Sequence, residues 1–544
     1  MATKPQDIID LYNDLDSGMS TLRSHLREVA DYMAPGKQNI YSDLVEGGKR
    51  MSKIYDGTPI LALRTFASGL FGNLSPQASP WFSLTTRNKT AAENANVKFW
   101  LADTTERMRS AINASRAPLA LQEIYFDEGW AGTGVLYVAE GKKYLLNCQT
   151  FSIANCCITV DAEDNVDGLY RRTKFSVLQC IQMWGDAVSK EIKDAYGKGK
   201  RKETFEIIHA VFRRNDYDWR KLNNLNMPYA SMYIEKKNAN LLSEGGYQEF
   251  PYAVPRWDKS EGEATGRSCA MDALADTKML NQMNYDNTRA FQKSIDPPIL
   301  ASKESALSST NTRPGGVIYH KSGEVPTTLD SRGNFSLAFE VEERRERRIK
   351  EFFYNDLFQL LASDPTNGKT AYEISKRLEE NISILGPALG RQQTELFDPF
   401  LSRVFWVLYR AGHLRPVPEE LAGQGLSVDY VGRLALAMKS QETQATGQVL
   451  NFVAQIAQTQ PEILDNFDVD EIAQGTAQRS GMPIKYLVNP DVRDKKRKAR
   501  AQAQAEAAQA QQEAEMIQQV PNLSKAVEPN SPADAILKAA GGGR

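Results

Sequence analysis

The feature that most constrains this chain is a pair of helix-forming stretches separated by a segment that cannot be helical. Residues 268–294 carry Met271, Leu274, Met279 and Met283 along an otherwise polar helix, and Asp296-Pro297-Pro298 stops it, because proline removes a backbone donor and its ring clashes one turn back. Residues 297–335 are rich in Ser, Thr, Gly and Pro, with a short strand-like piece at Gly316–His320. A second helix then runs over 337–361. The unit reads as helix, small insert, returning helix.

The returning helix holds Glu340–Arg344, Glu343–Arg347 and Glu346–Lys350 at i,i+4 with the acid N-terminal, the stabilising orientation. Val341, Ile349, Phe352, Leu357 and Leu360 keep an apolar stripe. An ordinary charged surface helix satisfies this pattern. The sharper reading is a helix with one side on its neighbours and another facing a water-filled channel, where acid and base partly cancel. Beyond it, Ser363-Asp364-Pro365-Thr366-Asn367-Gly368-Lys369 interrupts the periodicity. Thr370 and Glu373 then form a capping box, and the new helix keeps period through Ile374, Leu378, Ile382, Leu385, Leu389, Leu396, Phe400 and Val404. Gly386-Pro387 should kink it and Pro399 bend it again.

The flanks are mixed. Residues 5–33 predict one amphipathic helix through Ile8, Leu11, Leu15, Leu22, Leu26, Val29 and Met33, ended by Pro35-Gly36. Thr58 reads as an N-cap with Pro59 at the first helical position, for a helix stopped at Gly72. Helices are expected across 91–114 and from Pro118 to Trp130. Strands are expected at 135–139, 143–149, 166–174, 204–213 and 229–236, with a capping box at Ser176 and Gln179. Residues 499–516 have strong helix propensity and few large apolar groups, and Gly541–Arg544 reads as a flexible tail. The fold class is α+β, predominantly helical.

Catalytic chemistry finds little purchase. Five cysteines, an odd number with no CxxC spacing, and four histidines with no HExxH or HxxxH spacing read as buried thiols without a zinc site. Glu46-Gly47-Gly48-Lys49-Arg50 lacks the Ser or Thr that follows the lysine of a phosphate loop. Gly132-Thr133-Gly134 follows a helix and reads as a turn into a strand. The expectation is no enzyme and no cofactor. No apolar run approaches the roughly 20 residues of a membrane helix and no secretory segment is visible, so the chain is expected in the cytoplasm where it is made, with no membrane partner. The 66 Lys and Arg against 68 Asp and Glu leave a net charge of −2. A protein gripping duplex DNA over a large area normally carries a basic excess, whereas a wall past which DNA slides does not need one. The basic runs Lys198–Lys202 and Arg493–Arg500 can meet phosphate, although a solvated charged face accounts for either.

Several blocks together resemble the portal proteins of short-tailed, podovirus-type bacteriophages. They are Asp56-Gly57-Thr58-Pro59 through Phe71-Gly72-Asn73-Leu74-Ser75-Pro76 to Trp81-Phe82; Gly266-Arg267-Ser268-Cys269-Ala270-Met271-Asp272-Ala273-Leu274; Ala290 to Pro298; and Thr370-Ala371-Tyr372-Glu373 with Leu385-Gly386-Pro387. Family members often have Met-Thr-Ala-Thr-Glu where this chain has Lys369-Thr370-Ala371-Tyr372-Glu373. The capping pair survives; the chemistry of the loop departs.

The resemblance implies a portal-type ring subunit of wing, stem, clip and C-terminal helical crown. Residues 1–266 would be the α+β wing region, 267–296 and 336–362 the stem helices, 297–335 the clip insert and 363–369 the tunnel loop. Residues 370–430 would form a long kinked helix of the wing, and 431–544 the crown and tail. It implies a dodecameric homo-oligomeric ring at a virion vertex, double-stranded DNA in transit, a terminase packaging motor, tail adaptor proteins, and capsid and scaffold proteins. Ser363, Asp364, Thr366, Asn367, Gly368 and Lys369 would face DNA, with Thr370 and Glu373 capping the helix behind them. Glu343, Arg344, Arg347, Arg348 and Lys350 would be the channel charges of the stem. Pro297, Pro298, Arg313 and His320 would contact adaptors. A minor capsid or scaffold protein without a channel is the alternative reading, and a nucleic-acid enzyme a weaker one.

Overall fold

The computed structural model describes residues 4–38, 53–88, 94–141, 144–218, 223–295, 335–362, 385–421, 425–432 and 490–523, with scattered positions between them that include 299–300 and 327–328. They belong to two compact units, Met1–Gln441 and Glu442–Arg544. The described residues fold as α+β with helix predominating.

The helix expected over 5–33 is two, α1 (Pro5–Gly18) and α2 (Ser20–Tyr32). At the break, Arg23 Nη1 donates to the Asp16 carbonyl at 2.8 Å and Nη2 pairs with its carboxylate at 2.7 Å. Arg23 thereby satisfies an oxygen that a continuous helix would have bonded itself. The break divides one apolar stripe between two cores. Ile8, Ile9 and Tyr12 pack with Ile208, Ala210 and Met232 of a sheet, while Leu26, Val29 and Met33 join the main core.

The next helix, α3 (Thr58–Leu74), is capped from Gly57 and not by Thr58; Asp56 Oδ1 accepts from the Thr58 N–H at 2.8 Å. It also passes through Gly72. A glycine ends a helix by turning left-handed, and Gly72 is not among the positive-φ glycines, while Leu74 beyond it is buried. Strand β1 (Phe82–Thr86) follows, then α4 (Ala95–Ala114), capped by Asn94 Oδ1 accepting from Asn96 N–H at 2.9 Å. Helix α5 (Ala117–Ala131) ends at Gly132, whose φ of 76° is left-handed and where a Cβ would lie 2.4 Å from the Gly266 carbonyl.

The chain then enters the sheets with β2 (Leu136–Glu140), β3 (Leu146–Thr150), β4 (Cys156–Val160) and β5 (Val166–Ser176). The Ser176–Gln179 capping box starts α6 (Val177–Trp184), and α7 (Lys190–Gly197) follows. Strands β6 (Thr204–Arg213), β7 (Tyr229–Glu235), β8 (Asn240–Tyr247) and β9 (Tyr252–Ala253) complete the region. One antiparallel sheet has the order β4-β5-β6-β7-β8, with Leu169 opposite Val211 and Val211 opposite Ser231. A second has the order β3-β2-β9. Both faces of β6 are covered: Ile208 and Ala210 lie against α1, and Ile207 packs with Val177 and Ile192 of α6 and α7.

Helix α8 (Cys269–Ile295) matches the expectation for 268–294. At the two ends of the insert, β10 (Ile299–Leu300) pairs antiparallel with β11 (Thr327–Thr328). The returning helix is broken, as α9 (Phe335–Phe352) and α10 (Asn355–Ala362). Tyr354 sits between them at φ 53°, a left-handed turn that a helix cannot absorb. The break lets Phe353, Leu357 and Phe358 enter the main core, where Phe353 and Phe358 both approach Phe66 edge-on at 6.2 Å. The helix described from 385 becomes a π segment at Gln392–Phe397 and continues as α11 (Asp398–Arg410). Pro399 has no N–H to offer the Glu395 carbonyl, and the wider turn takes up the mismatch. The expected kink at Gly386-Pro387 sits at the edge of the described residues. Strand β12 (Leu426–Tyr430) pairs antiparallel with β1, Phe82 opposite Tyr430. In the second unit, α12 (Pro490–Leu523) is the described element.

Gly69 of α3 faces Phe358, and a Cβ there would lie 2.3–2.7 Å from the ring. Alanine gains about 1 kcal/mol of helix propensity, against an overpacking cost of about 1–3 kcal/mol. Gly69→Ala is expected to lower the thermal midpoint, and Phe358→Leu in the same chain to restore most of the loss. Thermal unfolding of the single and double variants checks this.

Candidate channel helix and its anchoring cluster

The pairs read in the sequence form on α9: Arg344 to Glu340 at 3.2 Å, Arg347 to Glu343 at 3.3 Å and Lys350 to Glu346 at 3.4 Å. Glu343, Arg344 and Arg347 project into solvent with side chains 65–74% exposed. Each such pair contributes about 0.3–0.5 kcal/mol. More important is that neither sign is in excess along this face.

The opposite side of α9 lies on α8. Ile349 is fully buried, and Phe339 meets Phe291 at 5.6 Å between centroids. Asn287 donates to Glu342 at 3.3 Å. Arg345 reaches Asp276 at 2.7 Å and Arg348 reaches the same carboxylate at 3.4 Å. Asp276 is 12% exposed, so this charge-assisted contact is stronger than the surface pairs. Sequence reading placed Arg348, still 64% exposed, among the channel charges of the stem and passed over Arg345 and Asp276. A signal was present: Arg345 and Arg348 have Val341 and Arg344 four residues back, so neither has the acid-first i,i+4 partner that Arg344, Arg347 and Lys350 have.

At the Tyr354 turn, α8, α9 and the helix from 385 surround a cavity of about 510 Å³ lined by Trp257, Asp258, Asp272, Arg348, Glu351 and Arg391. Arg391 closes one side, donating to the Trp257 carbonyl at 2.9 Å and pairing with Asp258 at 3.0 Å. Hydrogen bonding from Arg391 holds Asp258 below the usual carboxylate range, whereas burial raises Asp272.

Beside the cavity, Trp257 leads to a polar cluster around Arg256 and Glu395. From the π segment, Glu395 accepts from Arg256 Nε at 3.1 Å and Nη2 at 2.8 Å, and from its backbone N–H at 2.9 Å. Arg256 also donates to the Asp164 carbonyl at 3.0 Å. Asp164 stands at φ 69° and is held below its ordinary pKa by Lys259 and Arg256. About two turns further on, in α11, Arg403 pairs with Glu249 at 2.6 Å, and Arg410 shares that carboxylate at 2.7 Å. Gln392, fully buried, donates to Glu128 of α5. Among the described residues, Oε1 of Glu128 and Oε1 of Gln392 are buried with no hydrogen-bond partner. Burial raises the Glu128 carboxyl well above the usual range, with Glu395 and Asp127 adding to it and the Gln392 N–H opposing. A neutral Glu128 carries the O–H that the Gln392 oxygen needs. Its neighbour Asp127 has Lys37 at 2.7 Å and the Trp130 N–H at 2.8 Å.

All five cysteines are free and buried; burial pushes Cys148 and Cys156 up to about 12. His209 is buried between Ser231 and Tyr252, each at 3.0 Å, and desolvation lowers its pKa well below the ordinary value. The basic run Lys198–Lys202 forms a turn at Gly199, φ 74°, with Lys200 near Glu203 at 3.5 Å. Ser363, Asp364, Thr366, Asn367, Gly368 and Lys369, the cap Thr370 and Glu373, and Pro297, Pro298, Arg313 and His320 lie outside the described residues. No described helix is long and apolar enough to cross a membrane.

Residues 5–488 match the family described as bacteriophage head to tail connecting protein. A probable portal protein of Bordetella phage BPP-1 is 30% identical over 495 residues, covering 89% of each chain. A portal protein of Salmonella phage epsilon15 is 28% identical over 496 residues, again covering 89% of each. A chain from the virion of a native gene transfer agent particle superposes with a TM-score of 0.34 at 10% identity, over 74% of this chain and 90% of that one, too distant to carry an argument.

Two outcomes follow from the geometry. Asp276→Ala leaves Arg345 half-buried without its carboxylate and is expected to cost about 1–3 kcal/mol, whereas Glu343→Ala costs under about 0.5 kcal/mol; denaturant unfolding of both variants compares them. Glu128 has a folded pKa above its unfolded value, near 4.3. The native state therefore binds the proton more tightly, and stability falls as pH rises from that value toward the raised one. Glu128→Gln mimics the neutral acid, so its melting temperature should exceed the parent's at pH 8 and the gap should narrow toward pH 5.

Proposed function

This chain belongs to the bacteriophage head to tail connecting protein family, and from that membership we infer that it is a phage portal protein. It is a structural subunit of the virion, not an enzyme, and it assembles with copies of itself into a ring that joins head to tail. The observation that carries the reading is the family match across residues 5–488, reinforced by two relatives that are portal proteins. Neither a scaffold role nor a nucleic-acid enzyme gains support from these relatives.

In the finer reading the ring is a dodecamer at one capsid vertex, built in the host cytoplasm. Residues 1–266 and 370–430 are the wing, 267–296 and 336–362 the stem, 297–335 the clip, 363–369 the tunnel loop and 431–544 the crown. Double-stranded DNA passes the stem during packaging and ejection. The terminase motor and later the tail adaptors dock on the clip, through Pro297, Pro298, Arg313 and His320. Capsid and scaffold proteins surround the wing. The balanced charges of α9 support this role: phosphates sliding past Glu343, Arg344 and Arg347 meet alternating signs and no continuous attraction. Lys369 is the one basic side chain of the tunnel loop. A single exposed contact of about 1 kcal/mol or less, repeated around a ring, makes a reversible brake.

The test is assembly followed by loop deletion. Native mass spectrometry and particle images of the full chain are expected to show one large cyclic species with an axial hole. A chain that stays monomeric at micromolar concentration overturns the reading. Deleting Asp364–Gly368 while keeping Thr370 and Glu373 is expected to leave rings intact and to impair packaging or retention of DNA. Deletion rings that fill and hold DNA normally remove the tunnel-loop assignment.

A further inference from the structure

Helices α9 and α12 treat positive charge in opposite ways. On α9 each cation has an acid one turn back or Asp276 across the helix pair. In α12, residues 491–500 contain six cations, Arg493, Lys495, Lys496, Arg497, Lys498 and Arg500, against two carboxylates, Asp491 and Asp494. In the sequence Asp491 and Asp494 stand four residues before Lys495 and Lys498, and two acids against six bases leave the run with an excess of positive charge. Lys496 and Arg500 then face one another at i,i+4, and Lys495 and Lys498 at i,i+3, an arrangement that destabilises a helix. It also lies toward the N-terminal end, where the helix dipole favours anions. The excess of positive charge in this run is therefore not what stabilises the helix that carries it. Lys495, Lys496, Lys498 and Arg500 are all exposed, as are residues 501–511 after them, so the surplus faces solvent in this unit.

We propose that the α12 basic segment, Lys495, Lys496, Lys498 and Arg500, binds the phosphate backbone of double-stranded DNA without regard to sequence. The chemistry selects the ligand. Six cations within ten residues suit a polyanion with closely spaced charges. No aromatic residue occurs anywhere in 490–523, so the stacking platform that single strands require is missing. The Ala and Gln side chains that follow carry no charge to extend the contact, which keeps the site short. The proposal rests on the portal reading only for where the DNA comes from; the binding itself is a property of the segment.

The test uses the full-length assembled protein and a fluorescein-labelled 30-bp duplex of random sequence, followed by anisotropy from 50 to 300 mM NaCl. Replacing Lys495, Lys496, Lys498 and Arg500 by Gln together is expected to weaken binding at least about tenfold at 100 mM salt and to flatten the salt dependence. The matching Lys→Arg variant, with Arg500 kept, should bind as the parent does. Equal affinity and equal salt slope in the Gln variant overturn the proposal. So does tighter binding of a single-stranded oligonucleotide than of the duplex. A second measurement needs no variant: the duplex should slow tryptic cleavage at 495–500 in the parent protein, and unchanged cleavage there overturns the proposal as well. Particle images of the same samples report ring formation separately. A parent that binds DNA through this segment but forms no ring sinks the portal reading and leaves the site standing; rings with no loss of binding in the variant do the reverse.

Discussion

The first unit is organised around a guanidinium and a carboxylate taken largely out of water. Arg256, 4% exposed, and Glu395, 20% exposed, meet in a bidentate contact that the Arg256 backbone N–H completes. A pair removed from solvent stays stable only with close geometry and its remaining bonds satisfied, so this contact admits one register of the 385–410 helix against the rest. The neighbouring residues exploit that register. Trp257 bonds back to the Gly132 carbonyl at 2.9 Å, Gly266 donates to Thr133 at 2.8 Å, and Ser268 donates to the Trp130 carbonyl at 3.0 Å. The start of α8 is thereby tied to the end of α5 before the long helix leaves the core. The direction in which the helix pair projects depends on these few contacts, not on the pair itself.

The π segment is what brings Gln392 and Glu395 to bear at once, on Glu128 and Arg256. In a regular helix, residues three apart share a face only approximately, and Pro399 has already removed one of the bonds that would hold the regular form. The segment thus turns a local loss into two anchoring contacts. Glu128 and its amide partner Gln392 rest in a buried site where desolvation raises the carboxyl, which makes the joint between α5 and the long helix sensitive to pH.

Near-neutral net charge conceals a segregation of charge by element. Along α9 the exposed acids and bases alternate and the two leftover arginines are consumed by Asp276. In α12 the cations are gathered in ten residues. Composition averages the two away, so the total of −2 shows neither.

The sequence by itself determined what depends on near neighbours. The helix over 268–294 and the start of the returning helix, the i,i+4 pairs of α9, the Ser176–Gln179 box and the main strands 166–174, 204–213 and 229–236 follow from periodicity and capping, which act within a turn or two. Motif order made the family legible, since the blocks from Asp56 to Leu385 keep their sequence whatever the packing. Tertiary structure alone decided what depends on distant partners. The break at Met19 exists because Arg23 reaches Asp16 and Ala154, and the break at Tyr354 because Phe353 and Phe358 are drawn to Phe66. Strands β1 and β12 exist because Phe82 and Tyr430 meet across almost 350 residues. Asp276 and Glu128 look like any other acids in the chain. Their burial, and with it their chemistry, is a property of what packs over them, which no local pattern encodes.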